Sequence, residues 1–126
     1  MHVTAWEKKG VVISYSGTVT SGEMSLAAAQ VQASAKFDQM QYAIHDLTAC
    51  ESLTTVEMEL TTMVARASVA VERTRTLSVA FVGTNLTLFQ AFRHFKSVGI
   101  YERDLRIFTS LREARNHIAR ITGIDT

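Results

Sequence analysis

The residues best suited to chemistry crowd into HDLTACESLTT, positions 45–55: an imidazole, two carboxylates, a thiol and several hydroxyls within eleven positions. A hydrolytic site built here would take Ser52 or Cys50 as nucleophile and His45 as its base. The spacing works against it. His45 and Asp46 are adjacent on an expected strand, so their side chains point to opposite faces. The sequence has no Gly-x-Ser-x-Gly elbow and no His-Glu-x-x-His helix. Asp46 falls where a central strand should end, the edge at which open α/β sheets place ligands. Asn85 and Thr109 follow the next two strands, so the three form a candidate strand-end polar cluster. One reading is an enzyme using Asp46 with Asn85; the other is a carboxylate that accepts backbone amides of its own loop.

Metal and cofactor chemistry find little footing. His2, His45, His94 and His117 are scattered, and a single cysteine is too few for a thiolate cage. Each histidine is expected at the surface or half-buried, and no metal or cofactor is expected. GTVTSG (17–22) carries two glycines but lacks the Lys-Ser/Thr ending of a phosphate-cradling loop. A receiver domain would need an acidic pair after its first strand, which is absent.

These residues must be positioned by a chain of 126 residues, 47% hydrophobic, the size of one domain over 1–126. No apolar run approaches the roughly 20 residues that cross a bilayer, and MHVTAWEKKG turns polar too early for a secretion signal. With one cysteine, a cytoplasmic protein is expected. Net charge is +1, which argues against a nucleic-acid binder. The charge is uneven: residues 1–63 hold three bases and seven acids, residues 64–126 ten bases and five acids. That is either a solvated surface or a basic side for an acidic partner.

HVTAWEKKGVVISYSG predicts a hairpin turning at Lys9-Gly10. Thr20 and Glu23 have capping-box spacing for a first helix with Met24, Ala27, Ala28, Val31 and Ala35 on one face. QYAIHDL is the third strand. Thr54 and Glu57 repeat the capping box for a second helix reaching about Arg73. LSVAFVG is a buried strand, and Asn85 caps a third helix to about Val98. LRIFT is the last strand. Ser110 and Glu113 open a fourth helix with Leu111, Ala114, Ile118 and Ile121 on its inner face. The expected fold is α/β: a mixed, mainly parallel five-stranded sheet with an N-terminal hairpin and four helices, in the order ββαβαβαβα.

The hairpin with Gly17, the VTSGE entry to the first helix, the strand ending in HDL, VAFVGTN and the terminal RIFTSLREARNHI together resemble the STAS domain of sporulation-type anti-sigma-factor antagonists. They resemble still more the single-domain bacterial STAS/SEC14-like proteins. The likeness spans nearly the whole chain and lies in element order and strand–helix junctions. It implies the fold more strongly than any function. In the antagonists the third strand leads to Asp-Ser-Ser-Gly, whose second serine is phosphorylated by a partner kinase. This chain has TACESLTT after Asp46-Leu47, so the likeness offers Ser52, Thr54 and Thr55 as phosphosites by region only. The SEC14-like relatives imply a held lipid or other apolar molecule.

The second and third helices carry more apolar surface than one buried face requires. On the second, Val56, Leu60, Met63, Val64, Ala67 and Val71 form a core arc, while Met58, Ala65 and Val69 form a stripe almost opposite. On the third, Leu88, Ala91, Phe92, Phe95 and Val98 face the core, while Leu86 and Phe89 fall outside. Neighbouring helices could cover the extra stripe. The alternatives are a homodimer or partner surface centred on Met58, Ala65, Val69, Leu86 and Phe89, or an apolar pocket for a lipid chain. The expected role is non-enzymatic: interaction or small apolar ligand binding through these two helices. A kinase-regulated partner protein and an enzyme using Asp46 are the alternatives.

Overall fold

The computed structural model describes residues 1–56, 58, 77–97 and 105–123. The described elements are β1 (His2–Trp6), β2 (Gly10–Thr20), α1 (Ser21–Gln32), a 3-10 turn (Phe37–Gln39), β3 (Tyr42–Thr54), β4 (Ser78–Val82), α2 (Leu86–Ser97), β5 (Leu105–Phe108) and α3 (Leu111–Thr122). The expected second helix lies outside the described residues apart from its first positions, and with it Ala65 and Val69. The sheet order is β1-β2-β3-β4-β5. β1 pairs antiparallel with β2, and β2 to β5 run parallel. The α/β class, the mixed sheet and the N-terminal hairpin are as the sequence predicts.

The turn is not where the glycine suggested. Lys8 and Lys9 make it, between Trp6 paired with Val11 and a Glu7 amide that donates to the Gly10 carbonyl at 2.8 Å. Gly10 already belongs to β2. Its missing side chain is required by Tyr42, whose ring occupies the space a Cβ would take.

β2 and β3 also run further than expected. β3 does not end at Asp46 but continues to Thr54, paired with β2 up to Thr20. The extension survives through two irregularities, between Ser14 and Ser16 and between Gly17 and Thr18, each opposing an extra residue of β3. Gly17 takes φ 69° at the second, a backbone state that glycine enters at little cost. Val19 and Leu53 are buried and anchor the ribbon by their apolar contacts. Thr54 is the last strand residue, its expected capping partner Glu57 lies outside the described residues, and Val56 is half-exposed rather than packed on the sheet.

Each face of the sheet has its own core. On one, Val11, Ile13, Tyr15, Ala43, Leu47 and Phe81 pack with Met24, Ala27 and Val31 of α1 and Leu88 of α2. On the other, Val12, Tyr42, Ile44, Ala80 and Val82 meet Ala114 and Ile118 of α3. Thr20 caps α1 by accepting the Glu23 amide at 3.1 Å, and Ser110 caps α3 by accepting the Glu113 amide at 3.2 Å. Gly123 closes α3 in the left-handed region. Two expected positions of the helix faces move: Ala35 lies beyond α1 and is exposed, and Ile121 is 41% exposed while His117 takes a buried place on α3.

Candidate functional site

The carboxyl edge of the parallel strands gathers the residues singled out by type. Asp46 pairs with Val82 and Val82 with Phe108, so Asp46, the β4–α2 turn and Thr109 share that edge. Each polar side chain there is engaged locally. Asp46 Oδ1 accepts the Thr48 amide at 3.0 Å and the Thr48 hydroxyl at 2.8 Å, which fixes the first irregularity of β3. Asn85 Oδ1 accepts the Thr87 amide at 2.8 Å, an N-cap for α2. The Thr109 hydroxyl donates to the Glu113 carboxylate at 3.2 Å. The edge brings the three together by register, and their hydrogen bonds do not join them into one constellation.

The nucleophile candidates are likewise turned elsewhere. The Cys50 thiol is half-buried and donates to the Ser52 carbonyl at 3.3 Å, and burial pushes it above its usual range, away from thiolate character. Ser52 is paired with Thr18 and Thr54 with Thr20 in the β2–β3 ladder. Thr55 lies past the end of the strand.

His45 was expected near the surface but is buried, with 6% of its area exposed. Its Nδ1 lies 2.9 Å from the Tyr15 hydroxyl, and its ring stacks on Phe81 at 4.7 Å. Desolvation lowers its pKa to about 4, so at neutral pH it is an uncharged imidazole bound into the core. Burial pushes the Tyr15 phenol upward, so it stays protonated. His117 is buried as well, its ring 5.2 Å from Phe108 and its Nδ1 3.1 Å from an Arg120 guanidinium nitrogen. His2 is half-buried, with Nδ1 2.9 Å from Glu23, whose other carboxylate oxygen takes the N-terminal ammonium at 3.1 Å. Glu23 thus ties down the chain start instead of completing its capping box. His94 has no described side chain. Among the described residues no group of three His, Cys, Asp or Glu side chains could hold a metal.

Sequence reasoning missed a second polar cluster, at the opposite edge. Arg115 of α3 grips Glu7 with both guanidinium nitrogens, at 3.1 and 2.8 Å, and the Tyr42 hydroxyl donates to the same carboxylate. The Arg115 guanidinium holds the Glu7 carboxyl below its ordinary value, against the opposing effect of burial. Tyr42 is pushed up to about 12, by burial first and then by Glu7. These partners are 108 residues apart, and no local pattern announces them.

The remaining feature of the carboxyl edge is apolar. Met58, after β3, is 79% exposed; Leu86 and Phe89, after β4, are 70% and 36% exposed. Val56 adds to them at 48%. The sheet has a buried core on each face, and these large side chains stand in solvent, as do Val3, Leu26 and Ile121 elsewhere. The expected lipid-holding role rests largely on second- and third-helix residues outside the described ones.

No family model and no curated protein matches the sequence. Solved structures do match. The anti-sigma factor antagonist SpoIIAA in its unphosphorylated form is similar with a TM-score of 0.65 at 12% identity, over 98% of this chain and 100% of that one. The phosphorylated form of the Bacillus cell fate determinant SpoIIAA gives 0.62 at 13% identity, over 94% and 99%. A DUF3478-family protein of Shewanella loihica, with a SpoIIAA-like fold, gives 0.52 at 13% identity, over 94% and 92%. The chain has the SpoIIAA-like, STAS-type fold that its sequence resembles. The comparisons carry that likeness and not the narrower SEC14-like one. No helix among the described residues is long and apolar enough to cross a membrane.

Proposed function

We propose that this domain is a non-enzymatic, STAS-type partner protein of an anti-sigma system, which docks another protein on the carboxyl edge of its sheet. The observation that carries this reading is the exposure of Met58, Leu86 and Phe89 on one edge of an antagonist-like fold. Flexible methionine and large aromatic side chains suit a partner surface. The polar residues of the same edge support it, because Asp46 and Asn85 shape the backbone there rather than face a substrate.

A second reading concerns control of that docking. SpoIIAA exists in phosphorylated and unphosphorylated forms, and Thr55 is the one of the three candidate hydroxyls that lies beyond the β2–β3 ladder. A phosphate on Thr55 would set about two negative charges beside the exposed Val56 and Met58 and disfavour an apolar contact. The test is pairwise calorimetry of the protein against purified anti-sigma-type kinases of its host, followed by incubation with ATP and mapping of the modified residue. Binding with phosphate on Thr55 supports both readings. Binding with no phosphate removes the second, and no binding to any such kinase removes the first.

A further inference from the structure

The amino edge of the sheet, away from the docking surface, holds a cleft of about 240 Å³ between the β1–β2 turn and the 3-10 turn before β3. Lys8, Lys9 and Lys36 all line it. They are the only bases among the first 63 residues, a stretch with seven acids, and the fold gathers every one of them around a single hollow. Like charges assembled in this way raise the local potential for anions. The acid in the wall does not cancel them. Glu7 gives both carboxylate oxygens to Arg115 and receives the Tyr42 hydroxyl, so that pair is neutral within itself. Among the other described residues Asp38 is the acid closest to it in sequence; it is exposed on the 3-10 turn and does not line the cleft.

The hollow also has an apolar wall. Trp6 is half-buried in it, Met40 is 3% exposed beside it, and the Lys36 ammonium sits 5.3 Å from the Trp6 ring centroid. Ammonium groups on flexible stems act as point charges and suit phosphate, whereas a carboxylate is better matched by the planar arginine fork. The volume lies just below that of ordinary small-molecule sites and is too small for a folded segment of another protein.

We propose that this cleft binds a small soluble organic phosphate carrying two or more phosphate charges, held by Lys8, Lys9 and Lys36 with its body against Trp6. Trp6 is the only tryptophan of the chain, so its emission reports the cleft alone. The probes are inorganic pyrophosphate and a bisphosphorylated sugar, titrated into the full chain by tryptophan fluorescence and by calorimetry, with sodium chloride at matched ionic strength and a hexaglutamate peptide as comparisons. The expected result is saturable one-site binding of at least one phosphate probe. Lys8→Gln, Lys9→Gln and Lys36→Gln should each weaken it about tenfold with an unchanged circular dichroism spectrum. Calorimetry reads the affinity of Lys36→Gln, because that change alters Trp6 emission directly. The proposal is overturned if neither phosphate saturates, if sodium chloride reproduces the response, or if the lysine variants bind as the parent does. Tighter binding of hexaglutamate than of either phosphate also overturns it, and reassigns the cleft to acidic peptides.

Discussion

The Tyr15 hydroxyl lies 2.9 Å from Nδ1 of His45, a buried bond between residues 30 apart on adjacent strands β2 and β3. With the imidazole stacked on Phe81, it places a titratable group inside the core in its neutral form. Burial lowers the His45 pKa to about 4, whereas the unfolded chain would protonate near 6.5. The native state therefore binds fewer protons than the unfolded state between those values. Stability is full above pH 6.5 and falls as pH drops towards 4, by roughly 3 kcal/mol in all. Urea denaturation at pH 7.5, 5.5 and 4.5 should show this slope, and His45→Gln should remove it. A parent slope equal to that of the variant would mean that His45 titrates normally in the folded protein.

The same bond predicts the effect of losing its partner. Tyr15→Phe keeps the ring and strips the hydroxyl from a fully buried site, leaving His45 Nδ1 without it. The expected loss is about 1–3 kcal/mol, the range for a buried polar group deprived of its partner, read as a lower denaturation midpoint with an unchanged m-value.

Gly10 and Tyr42 give a steric test. A Cβ at residue 10 would occupy the space of the Tyr42 ring, and the ring is held by its hydroxyl bond to Glu7. Gly10→Ala should cost about 1–3 kcal/mol through overpacking, although φ at this position is not in the left-handed region. A thermal midpoint equal to the parent's would show that the ring moves aside freely.

How far the fold could be read from sequence follows from how local each signal is. The α1 and α3 caps were legible because Thr20–Glu23 and Ser110–Glu113 act within one turn. The alternation of β2 was legible through Ile13 and Tyr15, and His45 and Asp46 fell on opposite faces by the same rule. The long β2–β3 ribbon was not. Its upper half has one buried apolar anchor per strand, Val19 and Leu53, and irregularities break the period of two. A hydroxyl-rich stretch then looks like a loop. Burial of His45 and His117 depends on partners from other elements, Tyr15 and Phe108, and residue type alone sends histidine to the surface. At the site, Leu86 and Phe89 are exposed and lie outside the core arc expected of their helix, whereas the helix expected to carry Met58 lies mostly outside the described residues. The local engagements of Asp46, Asn85 and Thr109 are short-range, and the first of them was one of the two readings its position allowed.

Arg115 and Glu7 allow a second electrostatic test. Arg115→Lys keeps the charge and loses the two-pronged geometry. For this half-exposed pair the expected cost is about 1 kcal/mol. The Glu7 carboxyl is held low mainly by Arg115, so its stabilisation is present above the ordinary carboxylate range and lost as pH falls through the depressed value. In the lysine variant the Glu7 titration followed by NMR should move back towards its ordinary value, and the loss of stability below pH 4.5 should be shallower than in the parent.

Leu86→Asp and Met58→Asp separate docking from folding. Both side chains stand mostly in solvent, 70% and 79% exposed, so each substitution removes little buried surface, and stability should change by no more than about 0.5 kcal/mol. A partner that buries these side chains would instead have to desolvate a carboxylate in an apolar contact. Affinity should then fall at least about thirtyfold, the loss expected at a hot spot. Val3→Asp is the matched control: Val3 is 64% exposed on β1, at the far side of the sheet from β4 and α2, and should bind as the parent does. Denaturation midpoints beside calorimetric titration of the partner read both quantities. If Leu86→Asp and Met58→Asp bind as tightly as Val3→Asp, the carboxyl edge is not the docking surface.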